Sequence, residues 1–440
     1  MRKREFSVDN LTDYIFMRVL ILNTSEKTGG AAVAANRLMD ALNNNGVKAK
    51  MLVRDKETDH ISVIGLSNSL IQQWRFLWER LVIFCHLHFS RKHLFEIDIA
   101  NIGTDITKLR EFKEADIIHL HWINQGFISL NVMRKILDSG KPVVWTMHDI
   151  WPATGICHLA MDCRKYASRC SNCRILPGGG GDNDLSNKVW KKKKGIYDKY
   201  NISFVTCSKW LASEASRSAL LAGHPVTAIP NPIDTRTYCP GDRTMAANAV
   251  QLPFDKKVIL FVSQRATNPN KGMDYLVEAC HILIKKHPEM KDKTVLAVLG
   301  GHSEDVVEKM PFKVFPLGYV NDTRRIVDVY SAVDVFVLPS LSENLPNTIM
   351  EAMACGVPSV GFRVGGIPEM IDHIRTGYVA KYRDADDLAE GIYWTLNVAD
   401  RENVRMDCMK KVAACYSQHS VALRYIEVYN QALAFKHYKI

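Results

Sequence analysis

The stretch of residues 338–371 constrains the fold more than any other part of this chain. The apolar run at 333–338 that leads into it predicts a buried parallel strand, and a polar loop follows at 340–346. The next residues have the apolar spacing of a helix, which Gly356 and Pro358 end before another strand begins. The loop therefore lies at the carboxyl end of a parallel strand, where open sheets bind ligands. The N–H groups at the start of the helix favour an anion such as a diphosphate.

Two carboxylates frame this loop, Glu343 before the predicted helix and Glu351 within it. A carboxylate suits the vicinal hydroxyls of a ribose, which need a hydrogen-bond acceptor, and is poorly matched to a phosphate. Glu343 is placed to meet a sugar hydroxyl or the reacting centre. The alternative interpretation is a capped surface helix with two solvated acids.

The residues around the two acids narrow this choice. Glu351 continues as Ala-Met-Ala-Cys-Gly-Val-Pro-Ser-Val, and Gly-Gly-Ile-Pro-Glu follows. This segment closely resembles the donor-binding segment of the retaining glycosyltransferases of family 4. The resemblance implies that Glu351 holds the nucleotide ribose, that Glu343 lies by the donor sugar and that the loop amides hold the diphosphate. The loop reads Glu-Asn-Leu-Pro-Asn where many relatives have Glu-Gly-Phe-Gly, which predicts a stiffer loop. The further donor-binding residues that the resemblance implies are Asn344, Leu345, Asn347 and Thr348.

A second predicted loop supplies positive charge. Arg265 and Lys271 stand at its two ends, after the apolar run at 257–263. Arginine offers a fork to phosphate oxygens and lysine a compact charge. A lone basic pair is most often solvated, but this pair is similar to the Arg and Lys-Gly pair of family 4. The resemblance implies that both cations meet the donor diphosphate and stabilise the charge that grows as the glycosidic bond breaks.

The amino-terminal half supplies three further candidate site residues. A strand at 18–23 leads to Gly29 and Gly30, which resembles the amino end of the same family and implies that the backbone there approaches the diphosphate. Any Rossmann-like domain needs glycine at this place. His148 ends the predicted strand at 142–148, and the resemblance implies that it lies beside the donor sugar and the leaving group. An imidazole there can bond a sugar hydroxyl or orient the acceptor. The predicted catalytic residues are His148, Glu343, Arg265 and Lys271.

Four of the eleven cysteines fall in one segment, as Cys157, Cys163, Cys170 and Cys173. Four thiolates can close a tetrahedral structural zinc site that pins a loop, with His158 as an alternative ligand. Such a site has no open position for catalysis. Free cysteines in a buried loop are the alternative. The sequence from the preceding strands through these cysteines is similar to a subset of bacterial polysaccharide glycosyltransferases.

Two features bear on a membrane partner. The predicted helix at 69–93 carries Trp74, Leu77 and Trp78 at helical spacing. Most such stripes face a core, while the tryptophans and flanking arginines favour a membrane surface as the alternative. The lysine run at 191–194 is predicted to be a solvated helix face, again with membrane contact as the alternative.

Composition excludes several classes of protein. The 440 residues are enough for two domains, and the net charge of +10 suits nucleic acid, an anionic membrane or negatively charged small substrates. The sequence contains no aromatic-interleaved basic motif of a nucleic-acid module, so no nucleic-acid partner is expected. No run approaches the ~20 apolar residues of a membrane span. Residues 1–16 do not read as a signal peptide, which predicts a cytoplasmic protein, peripheral at the inner face of the plasma membrane if it docks there.

These features predict an α/β protein of the GT-B type, with two Rossmann-like domains facing across a cleft. The predicted amino-terminal, acceptor-side domain comprises residues 17–225 plus 416–440 and includes the cysteine-rich loop 157–173. The predicted nucleotide-sugar-binding domain comprises residues 226–415. The last helix is expected to return to the amino-terminal domain.

The resemblance implies transfer of a hexosyl group from a nucleotide-diphosphate sugar to a hydroxyl of an oligosaccharide, with retention of configuration. The acceptor is expected to be lipid-linked, in the synthesis of a bacterial surface polysaccharide. No cofactor is expected for the chemistry, and no divalent metal, because neither cleft loop has an Asp-x-Asp pair. The alternatives are a nucleotide-sugar 2-epimerase of the same fold and a non-catalytic sugar-nucleotide binding protein. A dehydrogenase is disfavoured because residues 23–30 lack Gly-x-Gly-x-x-Gly.

Overall fold

The computed structural model describes residues 17–67 and 69–436 and divides the chain into two compact units. The first unit holds the described residues up to Pro232 together with those from Val421 onward. The second unit is Ile233–Ser420. Each unit is an α/β structure with one parallel sheet, which confirms the predicted fold class at the level of the separate units.

The sheet of the first unit has a doubly wound order. Its described strands are β1 (Arg18–Ser25), β2 (Lys48–Asp55), β3 (Val63–Gly65), β4 (Ile117–Leu120), β5 (Val143–Met147), β6 (Ile202–Thr206) and β7 (Val226–Ala228). The order across the sheet is β3-β2-β1-β4-β5-β6-β7. The central strands are buried on both faces, as expected where helices cover a parallel sheet on either side. The strand order reverses between β1 and β4, and ligands bind at such a point in open sheets.

Six described α-helices before Pro232 belong to this unit, and α14 (Gln418–Lys436) joins them from the end of the sequence. The six are α1 (Gly30–Asn43), α2 (Ser69–His86), α3 (Arg110–Glu114), α4 (Leu130–Asp138), α5 (Leu185–Tyr197) and α6 (Lys209–Ser216). Ser129, Asp184 and Ser208 precede α4, α5 and α6, and the side chain of each accepts a backbone N–H from the first turn. These caps explain why the three helices begin where they do.

The second unit is built in the same way, with six described strands in its parallel sheet instead of seven. Its described strands are β8 (Lys257–Arg265), β9 (Thr294–Gly301), β10 (Val314–Gly318), β11 (Val335–Leu338), β12 (Ser359–Phe362) and β13 (Gly377–Ala380). The order across the sheet is β10-β9-β8-β11-β12-β13, so the reversal falls between β8 and β11. The described helices of this unit are α7 (Arg243–Val250), α8 (Met273–Lys286), α9 (Thr323–Ser331), α10 (Asn347–Ala354), α11 (Ile367–Met370), α12 (Ala385–Tyr393) and α13 (Arg401–Cys415). The predicted strand, loop, helix and strand of 338–371 are confirmed as β11, α10 and β12.

The last helix, α14 (Gln418–Lys436), packs on the first unit, as the sequence predicted. Its buried residues share a core with Ile21 and Val144 from the sheet of that unit. The hydroxyl of Tyr429 lies 2.7 Å from Nδ1 of His119, and the hydroxyl of Tyr425 lies 2.9 Å from Oγ1 of Thr146. The first unit is therefore completed by residues from the end of the chain.

Three details differ from the sequence expectations. The first unit extends to Pro232 rather than to residue 225, because Val226–Ala228 pairs with β6 as a further strand.

The second difference concerns Lys193, which was expected on a solvated helix face. It is fully buried, and its ammonium donates to the carbonyls of Trp151 at 2.6 Å and Thr154 at 3.0 Å. The same ammonium lies 3.3 Å from the centroid of the Trp151 ring, which adds a cation–π contact.

The third difference concerns α2, whose tryptophan and leucine stripe was expected to face a core. The helix ends at His86, and Trp74, Leu77 and Trp78 are exposed. The inward side buries Gln72, Glu79 and Arg80 beside Ile83, and buried hydrogen bonds and an ion pair hold the helix in this orientation. In the described part of the chain, no helix is long and apolar enough to cross a membrane.

Candidate functional site

Two loops of the second unit are bound to each other at the point where the strand order reverses. One follows β8 and the other follows β11. The N–H of Leu341 donates to the carbonyl of Asn270 at 2.8 Å, and the side-chain amide of Asn270 donates to the carbonyl of Ser342 at 3.0 Å. Gly272 has φ of 74°, and a Cβ there would lie 1.9 Å from the carbonyl oxygen of Pro339. The contact between the loops therefore requires glycine at this position.

Lys271 and Glu343 form an ion pair within this contact. The ammonium of Lys271 bonds to Oε1 of Glu343, with 27% and 13% of the two side chains exposed. The hydroxyl of Ser340 donates to the same oxygen at 3.1 Å. The structure thus brings together two residues that the sequence assigned separately to the phosphate and to the sugar. An ammonium has three N–H groups, and this pair uses one of them.

Arg265 lies at the carboxyl end of β8, opposite Gly301 of β9. Its guanidinium donates to Nε2 of His302 at 3.2 Å. The side chain is exposed and its described partner is this histidine, whereas Lys271 pairs with Glu343. Arg265 and Lys271 therefore share one loop but are held by different partners.

Glu351 lies inside α10 and is 9% exposed. The hydroxyl of Tyr330, from α9, donates to its Oε2 at 3.0 Å. Burial and the adjacent carboxylate raise the pKa of Tyr330 well above its usual value, so the phenol stays protonated and donates. One carboxylate oxygen of Glu351 is thereby fixed by a neighbour that lies far away in the sequence.

The remaining donor-binding candidates share the loop and the first turn of α10. Asn344, Asn347 and Thr348 are half-buried, and Leu345 is buried. Pro346 is the N-cap residue, and its own side chain makes no capping hydrogen bond. Backbone N–H groups at such a terminus favour an anion.

The loop after β12 supports this region from the other side. Gly365 has φ of 56°, and a Cβ there would lie 1.6 Å from the carbonyl oxygen of Glu343. The predicted glycine pair at 365–366 therefore holds the backbone of the Glu343 loop in place.

In the first unit, His148 directly follows β5. Its Nε2 lies 2.8 Å from Nδ1 of His121, which follows β4, and its Nδ1 lies 3.5 Å from Sγ of Cys207, which follows β6. Burial lowers the pKa of His148 to about 4, against a smaller opposing effect of Asp149. The imidazole is therefore neutral near pH 7 and can donate or accept a hydrogen bond.

Beside it, the structure contains a buried charged cluster that the sequence did not predict as a unit. His158 bonds to Asp149 at 2.7 Å and to Asp98 at 2.6 Å. Burial lowers the pKa of His158, but the two carboxylates outweigh burial and raise it to about 10. Asp149 also accepts from the indole of Trp122 at 3.0 Å. Asp149 is thereby fixed next to His148.

The glycine pair of the first unit lies where the sequence placed it. Gly29 precedes α1 with φ of 93°, a conformation that requires glycine, and a Cβ there would meet nothing within 4 Å. Gly30 is the first residue of the helix. The surroundings of this turn are open, which is compatible with a ligand approaching the backbone.

The four cysteines of the segment 157–173 are free thiols, and each is half-buried. Burial raises the pKa of Cys157 to about 12 and that of Cys170 to about 11. Within the residues that the structure describes, no group of three or more His, Cys, Asp or Glu side chains could hold a metal ion. The predicted zinc site is therefore not formed as these side chains lie. Both nitrogens of His158, the alternative ligand, are taken by carboxylates.

Sequence reasoning missed several residues of this region, among them Tyr330, Ser340 and His302. Tyr330 occupies an apolar position in the helical pattern of α9, so the sequence predicts that it packs in the core and gives no sign of a role at the site. Ser340 and His302 are ordinary loop residues in the sequence. Ser340 and His302 are polar residues that closely follow a parallel strand, and this position is the one sequence signal that could have predicted them as site residues.

Two family models match the chain in succession. Residues 28–237 match the model described as Glycosyltransferase Family 4, and residues 256–397 match the model described as Glycosyl transferases group 1. The two matches lie on the two sheets in order.

Among curated relatives, the D-inositol 3-phosphate glycosyltransferase 2 of Catenulispora acidiphila is 31% identical over 213 residues, covering 46% of this chain and 49% of that protein. The D-inositol 3-phosphate glycosyltransferase of Thermobispora bispora is 26% identical over 335 residues, covering 73% of this chain and 72% of that protein. The matched part thus spans about half the length of the first relative.

Solved structures share the fold at low identity. The sucrose-phosphate synthase of Thermosynechococcus elongatus gives a TM-score of 0.64 at 18% identity, covering 95% of this chain and 100% of that one. HepE of Anabaena in complex with UDP-glucose gives a TM-score of 0.63 at 17% identity, covering 94% and 100%. The chain is therefore similar to a glycosyltransferase family 4 domain over residues 28–237 and to a glycosyl transferases group 1 domain over residues 256–397, and its fold is that of the GT-B glycosyltransferases.

Proposed function

We propose that this protein transfers a hexosyl group from a nucleotide-diphosphate sugar to a hydroxyl acceptor with retention of configuration. The observation that carries the proposal is the contact between the loops after β8 and β11, where Lys271 and Glu343 pair beside the N terminus of α10. The succession of the two glycosyltransferase domains supports the same activity.

Each group at this contact has a role in holding the donor. Lys271, Arg265 and the first-turn amides of α10 bind the diphosphate, where their positive charge stabilises the leaving group. These groups supply the charge that a divalent metal supplies in other transferases. Glu351, whose carboxylate accepts the hydroxyl of Tyr330, accepts from the ribose hydroxyls. Glu343 orients Lys271 and lies by the donor sugar.

The chemical step follows from these roles. The bond between the anomeric carbon and the phosphate oxygen breaks, and the acceptor oxygen bonds to the same face of that carbon. The acceptor proton passes to the departing phosphate oxygen, so no covalent sugar–enzyme intermediate is needed. Glu343 is held by Lys271 and Ser340, which argues against its acting as a nucleophile. His148, neutral near pH 7, orients a hydroxyl in the first unit.

The acceptor we propose is a lipid-linked oligosaccharide of a bacterial surface polysaccharide. It is supported by the similarity of the segment ending in the cysteine cluster to transferases of that kind. Such an acceptor places the enzyme at the inner face of the plasma membrane. The names of the curated relatives favour D-inositol 3-phosphate as a second candidate acceptor. An anionic acceptor of that kind also suits the net charge of +10.

A thermal-shift screen of nucleotide-diphosphate sugars, beginning with UDP-glucose, tests the donor. A sugar nucleotide present at 100 times its dissociation constant should stabilise the protein by roughly 2.7 kcal/mol. Incubation with that donor alone and then with each acceptor distinguishes the activities. A transferase forms a new glycoside only with an acceptor, whereas a 2-epimerase converts the donor by itself. A protein that no nucleotide sugar stabilises would contradict the proposal.

A further inference from the structure

Helix α2 exposes six large apolar residues and buries three polar ones. Its buried positions are Gln72, Glu79, Arg80 and Ile83. The exposed fraction runs from 42% at Trp78 to 75% at Leu70. Ile83 packs in the core of the first unit, whereas a helix on a protein core normally turns most of its large apolar side chains inward. The exposed apolar side chains, called here the α2 face, are Leu70, Ile71, Trp74, Leu77, Trp78 and Leu81.

Buried polar contacts hold the helix in this orientation. One oxygen of Glu79 accepts the N–H of Ala100 at 2.7 Å, and the other accepts the N–H of Gly126 at 2.7 Å. Arg80 forms an ion pair with Asp98, whose side chain is 1% exposed. Turning the apolar face inward would break these contacts and leave buried charges unpaired, which costs several kcal/mol.

The backbone packing fixes the same orientation. Gly126 has φ of 78°, and a Cβ there would lie 2.8 Å from the backbone carbon of Arg75. The backbone of α2 thus packs closely against the loop at Gly126, on the side of the helix that faces the rest of the first unit. Its apolar side is a fixed part of the surface.

The segment that carries the α2 face contains more cations than carboxylates. Between Ser69 and His93 the one carboxylate is Glu79, which is buried. Past the end of the helix, Phe89 is 71% exposed, and Arg91 and Lys92 are exposed beside it. The surface therefore combines large apolar side chains with cations, and one exposed carboxylate, Glu96, pairs with His93 next to them.

This combination fits an anionic lipid bilayer. Trp74 and Trp78 stack with ring centroids 5.8 Å apart, and tryptophan prefers the interface between lipid headgroups and acyl chains. Arginine and lysine beside an apolar face attract anionic headgroups. A second copy of the chain is a poorer occupant, because a symmetric contact would bring the same cations of both copies together.

We propose that the α2 face binds the surface of an anionic bilayer, with α2 lying along the interface and no segment of the helix crossing it. This inference extends the proposed function, since a lipid-linked acceptor lies at that surface. It concerns a different region from the donor site, so the two are tested separately.

Co-sedimentation of the full chain with vesicles tests the proposal. The protein should bind vesicles of phosphatidylcholine with phosphatidylglycerol and bind phosphatidylcholine alone at least ~tenfold more weakly. The triple substitution Trp74→Gln, Leu77→Gln and Leu81→Gln should lower binding by ~tenfold or more. The matched control Met245→Gln with Phe254→Gln removes apolar side chains that are 74% and 61% exposed in the second unit, and it should bind like the wild type.

A charge pair provides a second, milder test. Arg91→Glu with Lys92→Glu should weaken binding to the anionic vesicles and leave the weak binding to neutral ones unchanged. Lys291→Glu with Lys293→Glu, also exposed but in the second unit, serves as its control. Circular dichroism and an unchanged thermal unfolding transition check that every variant is folded, independently of donor binding.

The outcomes separate the two proposals. Equal vesicle binding by the wild type and the triple variant, or none by the wild type, would overturn the membrane proposal even where donor binding is intact. Loss of donor stabilisation with normal vesicle binding would count against the proposed function instead. A dimer seen by light scattering that the triple variant loses, without vesicle binding, would assign the α2 face to a second copy.

Discussion

Charged side chains in this protein acquire their roles from partners far away in the sequence. Lys271 and Glu343 are 72 positions apart and form one ion pair, with most of each side chain covered. Glu351 likewise depends on Tyr330 for its orientation. Removing one member of such a pair leaves the other partly buried and unpaired, so its effect should exceed that of removing a solvated charge.

We expect Lys271→Ala to lower the rate of sugar transfer by ~100-fold or more, because it removes a cation at the leaving diphosphate. Glu351→Ala should abolish donor binding and with it turnover. Steady-state kinetics with the donor found by the screen measures both effects. Lys291→Ala, an exposed lysine of the same unit, is the control. Full activity of Lys271→Ala would remove that residue from the proposed mechanism.

We expect Tyr330→Phe to raise the donor dissociation constant while the maximal rate changes little. The loss of one hydrogen bond costs about 0.5–1.5 kcal/mol, or roughly threefold to tenfold in affinity. Titration calorimetry measures the affinity. Tyr378→Phe is a matched control, because its hydroxyl donates to Asp387 at 2.9 Å away from the proposed site. An equal effect of both substitutions would indicate general destabilisation rather than positioning of Glu351.

At the scale of elements, the site depends on how loops pack where strands end. The loops after β8, β11 and β12 touch through backbone atoms at Gly272 and Gly365, where no side chain fits. In the first unit, the ends of β4 and β5 bring His119, His121 and His148 together. Both arrangements follow from adjacent parallel strands that end at one edge of a sheet.

We expect Gly272→Ala to weaken donor binding and to lower the melting temperature. Alanine at positive φ costs about 1–2 kcal/mol, and its Cβ would also collide with the carbonyl of Pro339, 1.9 Å away. Gly140→Ala is a matched control, with φ of 72° and nothing within 4 Å of a Cβ. It should show the conformational cost alone and retain donor binding. Identical losses in the two variants would refute the importance of the loop contact.

The buried histidines predict a loss of stability in acid. Burial lowers the pKa of His119 to about 3 from an ordinary value of 6.5, and the nearby His148 adds to this effect. As the pH falls below 6.5, His119 becomes protonated in the unfolded chain, whereas in the folded chain it stays neutral until about pH 3. The free energy of unfolding therefore falls as the pH falls across this window. Each unit of pKa difference corresponds to about 1.4 kcal/mol.

Denaturant unfolding between pH 7 and 4 measures this slope. His119→Gln should flatten it, because glutamine can bond to Thr146 and Tyr429 without titrating in this range. His281→Gln, an exposed position, should leave the slope unchanged. A slope that His119→Gln does not alter would assign the acid sensitivity to other groups.

At the scale of the whole molecule, the two units are not consecutive in the sequence. The first unit is closed by α14, whose Val421, Tyr425 and Tyr429 are buried against its sheet. The second unit lies between these two parts of the first along the chain. The core of the first unit therefore combines two separate parts of the sequence, whereas the second unit is one continuous segment.

We expect Tyr429→Ala to destabilise the first unit by about 3–5 kcal/mol, the usual cost of removing a large buried side chain. Calorimetry should show the transition of that unit shifted and the transition of the second unit unchanged. Phe435→Ala, on the same helix but 53% exposed, is the control and should have little effect. A single transition that moves as a whole would mean that the two units unfold together.

The sequence by itself determined the two parallel-sheet units, the strand, loop and helix around 338–371 and the return of the last helix. These features depend on local periodicity, on capping and breaking residues, and on the rule that parallel strands present their carboxyl ends together. For the same reason, Arg265, Lys271, Glu343 and His148 could be placed at strand ends without a structure.

Only the tertiary structure decided which partner each side chain meets. The pairing of Lys271 with Glu343, of Arg265 with His302 and of Glu351 with Tyr330 depends on elements distant in sequence. The tertiary structure also decided that the apolar face of α2 is exposed. A few buried polar contacts fix the orientation of this helix, although its hydrophobic pattern favours the opposite orientation. Cysteine spacing predicted a zinc site, whereas no group of three or more described side chains is arranged to hold a metal ion.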